Sequence, residues 1–108
     1  MDLRRHPRFP LEADICIYPR DSPVVRGRTV DISESGISAM LRVEVPVGEV
    51  VRLELKLPLG DVDVLALVRQ RNAFRYGFQF VDINSRHKVI ARTCRELSMK
   101  HTETREEI

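Results

Sequence analysis

The sequence predicts a mostly β domain of antiparallel strands that ends in a single helix. Six runs of alternating apolar and polar residues follow one another with only short turns between them, whereas parallel strands would need longer crossover segments. From residue 84 the apolar residues recur instead with the period of a helix. A chain of 108 residues buries one modest core, so we expect one domain.

Three strand-like runs occupy the first half of the chain. The first covers residues 9–18, where Leu11, Ala13, Ile15 and Ile17 share a face. A turn at 19–23 leads to the second run at 24–32, and a turn that ends at Gly36 leads to the third at 37–43. Residues 31–36 are therefore predicted to connect two strands.

The second half carries the clearest strand signal. Between 51 and 57 four apolar residues alternate with charged ones, and a turn at 58–61 leads to a similar run at 62–69. After a polar corner at 71–72, the sixth run places Tyr76, Phe78 and Phe80 on one face. These runs add three antiparallel strands, and six such strands suggest either a barrel or a sandwich.

One amphipathic helix is predicted over residues 84–98. Asn84 or Ser85 can cap its N-terminus. Its apolar stripe consists of Val89, Ile90, Thr93, Cys94 and Leu97. We expect this stripe to cover an open end of the strands. Residues 100–108 have no apolar period and are predicted to form a flexible tail.

Charge, apolar pattern and cysteine usage exclude several classes of protein. The chain has 18 Lys and Arg against 16 Asp and Glu, for a net charge of +2. The surplus lies in residues 1–8, which favours a locally bound small anion over a polyanion. No apolar run suits a membrane span or a signal peptide, so we expect a cytoplasmic protein. Cys16 and Cys94 are predicted to be reduced packing residues, with a disulfide as the alternative.

Two short motifs carry the functional signal, Arg4-x-x-x-Arg8 and Asp31-x-Ser33-x-x-Gly36. An arginine fork binds phosphate or the O6/N7 edge of guanine, and a carboxylate accepts from the N1–H and N2–H2 edge of guanine. Each motif alone also has a structural explanation, as a solvated tail or as a tight turn. Together they predict a site that binds guanine and phosphate.

In this order, and with this strand pattern, the two motifs resemble the signature of the PilZ domain family of bacterial cyclic di-GMP receptors. The resemblance covers nearly the whole chain. It implies that the strands close into a six-stranded antiparallel β-barrel, which the helix follows. Closure into a barrel also removes strand edges that would promote aggregation. The ligand-binding residues that it implies are Arg4, Arg8, Asp31, Ser33 and Gly36.

Cyclic di-GMP carries two phosphates and two guanines, and the resemblance gives each motif a part in binding it. Residues 1–8 would form a ligand-binding arm ahead of a domain at 9–99, with Arg4 and Arg8 contacting phosphate and guanine. Asp31 would accept from a guanine, Ser33 would contact the ligand or the turn, and Gly36 would allow close backbone approach. Arg5 duplicates the charge and is a secondary candidate. Leu3 offers neither a donor nor a charge for a second ligand, so one ligand per chain is expected.

The sequence thus predicts a stand-alone receptor or adaptor in second-messenger signalling. Ordering of the arm on the ligand would create a surface for an unidentified protein partner. There is no nucleophile elbow or phosphate loop, and His6, His87 and His101 lack metal-ligand spacing. We therefore expect no enzyme activity, no metal and no cofactor.

Two other classes of function remain open. A small barrel could bind single-stranded nucleic acid with Tyr76 and Phe78 as stacking platforms. Its backbone track would then consist of Arg26, Arg28, Arg69, Arg71 and Arg75. The chain could also be a protein-interaction module with a vestigial ligand site. The predicted inward position of the aromatic residues weighs against the first class, and the presence of the arginine pair weighs against the second.

Overall fold

The computed structural model describes residues 7–81 and 87–106. Within these residues, seven strands and one helix follow one another: β1 (Phe9–Pro10), β2 (Asp14–Tyr18), β3 (Val25–Ile32), β4 (Gly36–Leu41), β5 (Val50–Leu57), β6 (Gly60–Asn72), β7 (Arg75–Phe80) and α1 (His87–Glu106). The six predicted runs are all present. The first of them is divided into the short β1 and the longer β2.

The strands close into a barrel in which neighbours run antiparallel. Their order is β3, β2, β5, β6, β7 and β4, and β4 pairs again with β3. The two-residue β1 pairs with the same edge of β3 as β2 does, farther along that strand. The predicted six-stranded barrel with a C-terminal helix is confirmed.

Thr29 bridges the break between β1 and β2. Its hydroxyl accepts from the backbone N–H of Ala13 at 2.8 Å and donates to the carbonyl of Leu11. The side chain thus replaces ladder hydrogen bonds that the irregular segment lacks. Because β1 stays aligned with β3 through the pairs Phe9–Ile32 and Pro10–Asp31, the residues just before β1 reach the Asp31 end of β3.

The core fills the barrel with the apolar faces predicted from the alternation. All four apolar residues of the first run are buried, and Leu53, Leu55 and Val68 are completely enclosed. Tyr76 and Phe78 are also buried, with their rings stacked 6.4 Å apart. Neither ring is therefore available as a surface platform for bases.

Helix α1 packs on the barrel through the predicted stripe. Ile90, Thr93 and Cys94 are buried, and Val89 and Leu97 pack partly buried against the core. The helix continues to Glu106, past the predicted end at 98, because residues 87–106 contain neither Pro nor Gly to stop it. The predicted start at 84–86 lies outside the described residues. Within the described chain, α1 lacks the apolar length needed to cross a membrane.

Candidate functional site

A polar cavity of about 410 Å³ opens on the outer face of β3, β4, β6 and β7. Its volume lies within the range of small-molecule sites. The residues that line it are Arg8, Asp31, Ser38, Gln70, Arg71, Asn72, Arg75 and Gly77. The cavity thus joins the end of the N-terminal arm to four strands of the barrel.

A row of paired residues across the sheet forms one level of the cavity. Asp31 pairs with Ser38, Ser38 with Gly77, and Gly77 with Gln70. These residues point away from the core because their strand neighbours, such as Ile37 and Phe78, point into it. A Cβ placed on Gly77 would lie 3.0 Å from Cγ of Gln70. The missing side chain at Gly77 therefore leaves room in the middle of this row.

Asp31 is bound by two arginines, one on each carboxylate oxygen. Nη1 of Arg8 donates to Oδ1 at 2.6 Å, and Nη2 of Arg75 donates to Oδ2 at 2.6 Å. Nη1 of Arg8 also lies 3.4 Å from the hydroxyl of Ser38. The Asp31 side chain is 15% exposed, while those of Arg8 and Arg75 are 28% and 50% exposed. Each guanidinium keeps further N–H donors beyond those bonds, so this cluster can hold an anion.

The β6–β7 hairpin supplies the remaining wall. Asn72 pairs with Arg75 across the hairpin, and Ala73 adopts a positive φ of 57° in its turn. Arg71 lies 5.6 Å from the centre of the Tyr76 ring and forms an ion pair with Glu44 at 3.1 Å. Three guanidinium groups and one carboxylate thus line the cavity, which gives it a positive balance.

Ser33 and Gly36 lie outside this cavity, with Ser33 in the turn between β3 and β4 and Gly36 at the first position of β4. The buried Ser33 hydroxyl accepts from the N–H groups of Ser35 at 3.2 Å and Gly36 at 3.1 Å. A Cβ on Gly36 would collide with the backbone carbonyl of Phe78. Close strand packing therefore accounts for Gly36, and turn closure accounts for Ser33.

The structure thus brings together two of the predicted site residues, Arg8 and Asp31. Arg4 and Arg5 lie outside the described residues. Sequence reasoning did not assign Ser38, Gln70 or Gly77 to the site, and it considered Arg75 only for nucleic acid. A glycine inside a predicted strand was one available signal, because it often marks a close approach to another group. No group of His, Cys, Asp or Glu in the described segments could hold a metal ion.

A family model gives the decisive comparison. The model described as "PilZ domain" matches residues 2–96. The chain belongs to the PilZ domain family. No curated protein matches the chain.

Solved structures reproduce the fold of this PilZ domain at low sequence identity. A structure described as the PilZ domain of YcgR from Escherichia coli with c-di-GMP matches with a TM-score of 0.78 at 17% identity, covering 99% of this chain and all of that one. The Bacillus subtilis inhibitor of motility MotI/DgrA matches with a TM-score of 0.79 at 20% identity, covering 93% of this chain and 53% of its own length. The PilZ domain of CeSA from a cellulose-synthesizing bacterium matches with a TM-score of 0.70 at 19% identity, covering 85% and 98%.

Proposed function

We propose that this PilZ domain is a receptor for cyclic di-GMP and binds it in the cavity beside Arg8, Asp31 and Arg75. The observation that carries the proposal is the Asp31 carboxylate bound by two arginines, at 2.6 Å each, in the wall of a positive cavity. The E. coli PilZ domain with the same fold is described as a complex with c-di-GMP. This likeness supports the choice of ligand among guanine- and phosphate-containing anions.

The cavity residues suit both chemical parts of this ligand. Arg8 and Arg75 offer forked donors to phosphate, and they also fix the orientation of Asp31. Each carboxylate oxygen has two acceptor sites, so Asp31 can accept from the N–H edge of a guanine while it stays paired with arginine. The amides of Gln70 and Asn72 add donors and acceptors on the opposite side. Arg4 and Arg5 add the remaining cations of the arm.

In this proposal Ser33 and Gly36 contribute indirectly. Their hydrogen bonds and close packing hold the end of β3, and thereby hold Asp31 in the row that reaches Gly77. A substitution at either position should first disturb the turn. Loss of ligand affinity would then follow from displacement of Asp31.

We further propose that the domain acts as an adaptor and not as an enzyme. The ligand would engage the arginines of the arm, and the ordered arm would present a surface to a partner protein in the cytoplasm. The described part of Arg4-x-x-x-Arg8 already lies against the barrel through the Arg8–Asp31 ion pair. Ligand binding would thus act on a contact between the arm and the barrel.

Isothermal titration calorimetry with cyclic di-GMP tests the proposal. We expect saturable binding with about one ligand per chain, and weaker binding of cyclic di-AMP, since its adenines lack the N1–H and N2–H2 edge. Titration at two temperatures ensures that a vanishing heat is not mistaken for absence of binding. A folded protein with no binding at either temperature would refute the proposed function.

A further inference from the structure

A second groove, of about 610 Å³, lies beside the ligand cavity and shares no residue with it. It is bordered by Arg26 and Arg28 of β3, Met40 of β4, Arg42 just after β4, and Phe74 of the β6–β7 turn. We call it the Phe74 groove. Phe74 is 60% exposed and Met40 is 45% exposed. Exposed apolar side chains that line one groove and are flanked by charges are typical of an interaction site.

Backbone pairing fixes the shape of the Phe74 groove. Arg28 pairs with Met40 across β3 and β4, and Met40 pairs with Arg75 across β4 and β7. The backbone N–H of Leu41 donates to the carbonyl of Phe74 at 2.9 Å. This bond ties the β6–β7 turn to the end of β4 and keeps Phe74 next to Met40. The apolar part of the groove is therefore held in place by the barrel.

The charged residues that line the groove are all arginines. Arg28 is paired with Asp14 at 2.7 Å, but Arg26 and Arg42 have no ion-pair partner within the described parts of the chain. Both are exposed. A partner that offers carboxylates would match these guanidinium groups, and bidentate contacts from Arg are among the stronger polar contacts at interfaces.

We propose that the Phe74 groove binds an acidic segment of a partner protein that carries a large apolar side chain flanked by Asp or Glu. The apolar side chain would cover Met40 and Phe74, and its acidic neighbours would reach Arg26 and Arg42. A second copy of this chain fits poorly, because a symmetric contact would place arginine against arginine. Single-stranded nucleic acid also fits poorly, since Phe74 is the one aromatic ring among the described residues of the groove and the other apolar wall is aliphatic.

This surface is separate from the proposed ligand cavity, because no residue lines both. It therefore names a partner chemistry for the adaptor without relying on the arm. If the chain does not bind cyclic di-GMP, the peptide selection described below still tests the Phe74 groove.

Selection of random peptides of about 12 residues displayed on phage, with the full chain as bait, tests the inference. We expect enrichment of peptides that contain Phe, Leu or Met among Asp and Glu. A labelled enriched peptide should bind the chain at least about ten-fold more weakly after Phe74→Ser or Arg42→Glu, a loss of about 1.4 kcal/mol or more, because a few aromatic and Arg residues dominate the affinity of an interface. The matched controls Leu59→Ser and Arg20→Glu, at exposed sites outside the groove, should bind as the parent does.

Three results would overturn the inference. The first is selection without enrichment, or enrichment of basic or neutral peptides. The second is equal loss of binding in the groove variants and the controls. The third is tight binding of a single-stranded oligo(dT) probe, or self-association of the chain, if Phe74→Ser abolishes it. Either result would assign the groove to a different occupant.

Discussion

Arg75 and Asp31 form a 2.6 Å ion pair although they lie 44 positions apart in the sequence. The pairing of β4 with both β3 and β7 brings them together, because Asp31 lies opposite Ser38 and Ser38 lies opposite Gly77. Asp31 also binds Arg8 from the other direction. One carboxylate therefore links the arm to the last strand of the barrel.

Removing either arginine should weaken cyclic di-GMP binding without unfolding the domain. A charge-assisted hydrogen bond to the ligand is worth about 1.5–3 kcal/mol, so Arg8→Ala and Arg75→Ala should each cost about one to two decades of affinity. Calorimetry measures the affinity, and a thermal melt reports the folded state. Arg20→Ala, at an exposed site outside the cavity, is the matched control. Unchanged affinity in Arg75→Ala would remove that residue from the site.

Asp31→Ala should reduce selectivity more than it reduces anion binding. The variant loses the acceptor for the guanine N–H edge, but it keeps Arg8 and Arg75 for phosphate. A bidentate base contact is worth about 1–3 kcal/mol, so the preference for cyclic di-GMP over cyclic di-AMP should fall by about five-fold to about 150-fold. Competition titrations of the two dinucleotides measure this ratio, with Asp63→Ala as the control. If the variant discriminates as well as the parent, Asp31 acts only within the fold.

The two glycines of the region should respond differently to a methyl group. Gly36→Ala places a Cβ against the Phe78 carbonyl and should lower stability by about 1–3 kcal/mol, the usual cost of overpacking. Gly77→Ala meets only the flexible Gln70 side chain, so it should fold well but bind cyclic di-GMP more weakly. Urea denaturation and calorimetry on both variants separate these effects. A stable Gly36→Ala would contradict the described packing, and full affinity in Gly77→Ala would show that the ligand does not need the space beside Gly77.

Cys94 should make stability depend on pH in the alkaline range. Burial, and secondarily the charge of Glu34, raises the pKa of the Cys94 thiol from 9.0 to about 11. The folded domain thus holds this proton more tightly than the unfolded chain, and the contribution is intact below about pH 9 and lost as the pH rises toward 11. The free energy of unfolding of the parent, measured in urea with a reductant, should exceed that of Cys94→Ala. This difference should decrease between about pH 8 and about pH 10.5. An advantage that is constant across this range would show that the thiol does not titrate differently in the two states.

Local patterns predicted the strands and the helix, whereas closure of the strands into a barrel was implied by the family resemblance. Period-two alternation located all six strands, and the helical stripe from Val89 to Leu97 located the face that packs on the barrel. The predicted end of the helix at residue 98 was wrong. No residue between 98 and 106 breaks a helix, and loss of the apolar period does not by itself end one. Both cysteines in the structure are free, as expected.

Only part of the candidate site could be predicted from the sequence. Local motifs identified Arg8 and Asp31, whose side chains are in contact. Arg75, Ser38 and Gly77 reach the cavity through strand register, which is a non-local property. The motif residues Ser33 and Gly36 were identifiable, but whether they contact a ligand or build a turn depends on contacts that only the fold provides.

The central claim, that cyclic di-GMP binds in the cavity beside Arg8, Asp31 and Arg75, is tested most directly by a ¹H–¹⁵N NMR titration of the full chain. We expect saturable shifts of the backbone amides of Ser38, Gln70 and Gly77, while the signals of Val50 and Leu65, on another face of the barrel, do not move. Cyclic di-AMP should cause the same shifts only at higher concentration. Absence of shifts in a folded chain, or shifts centred on Val50 and Leu65, would contradict it.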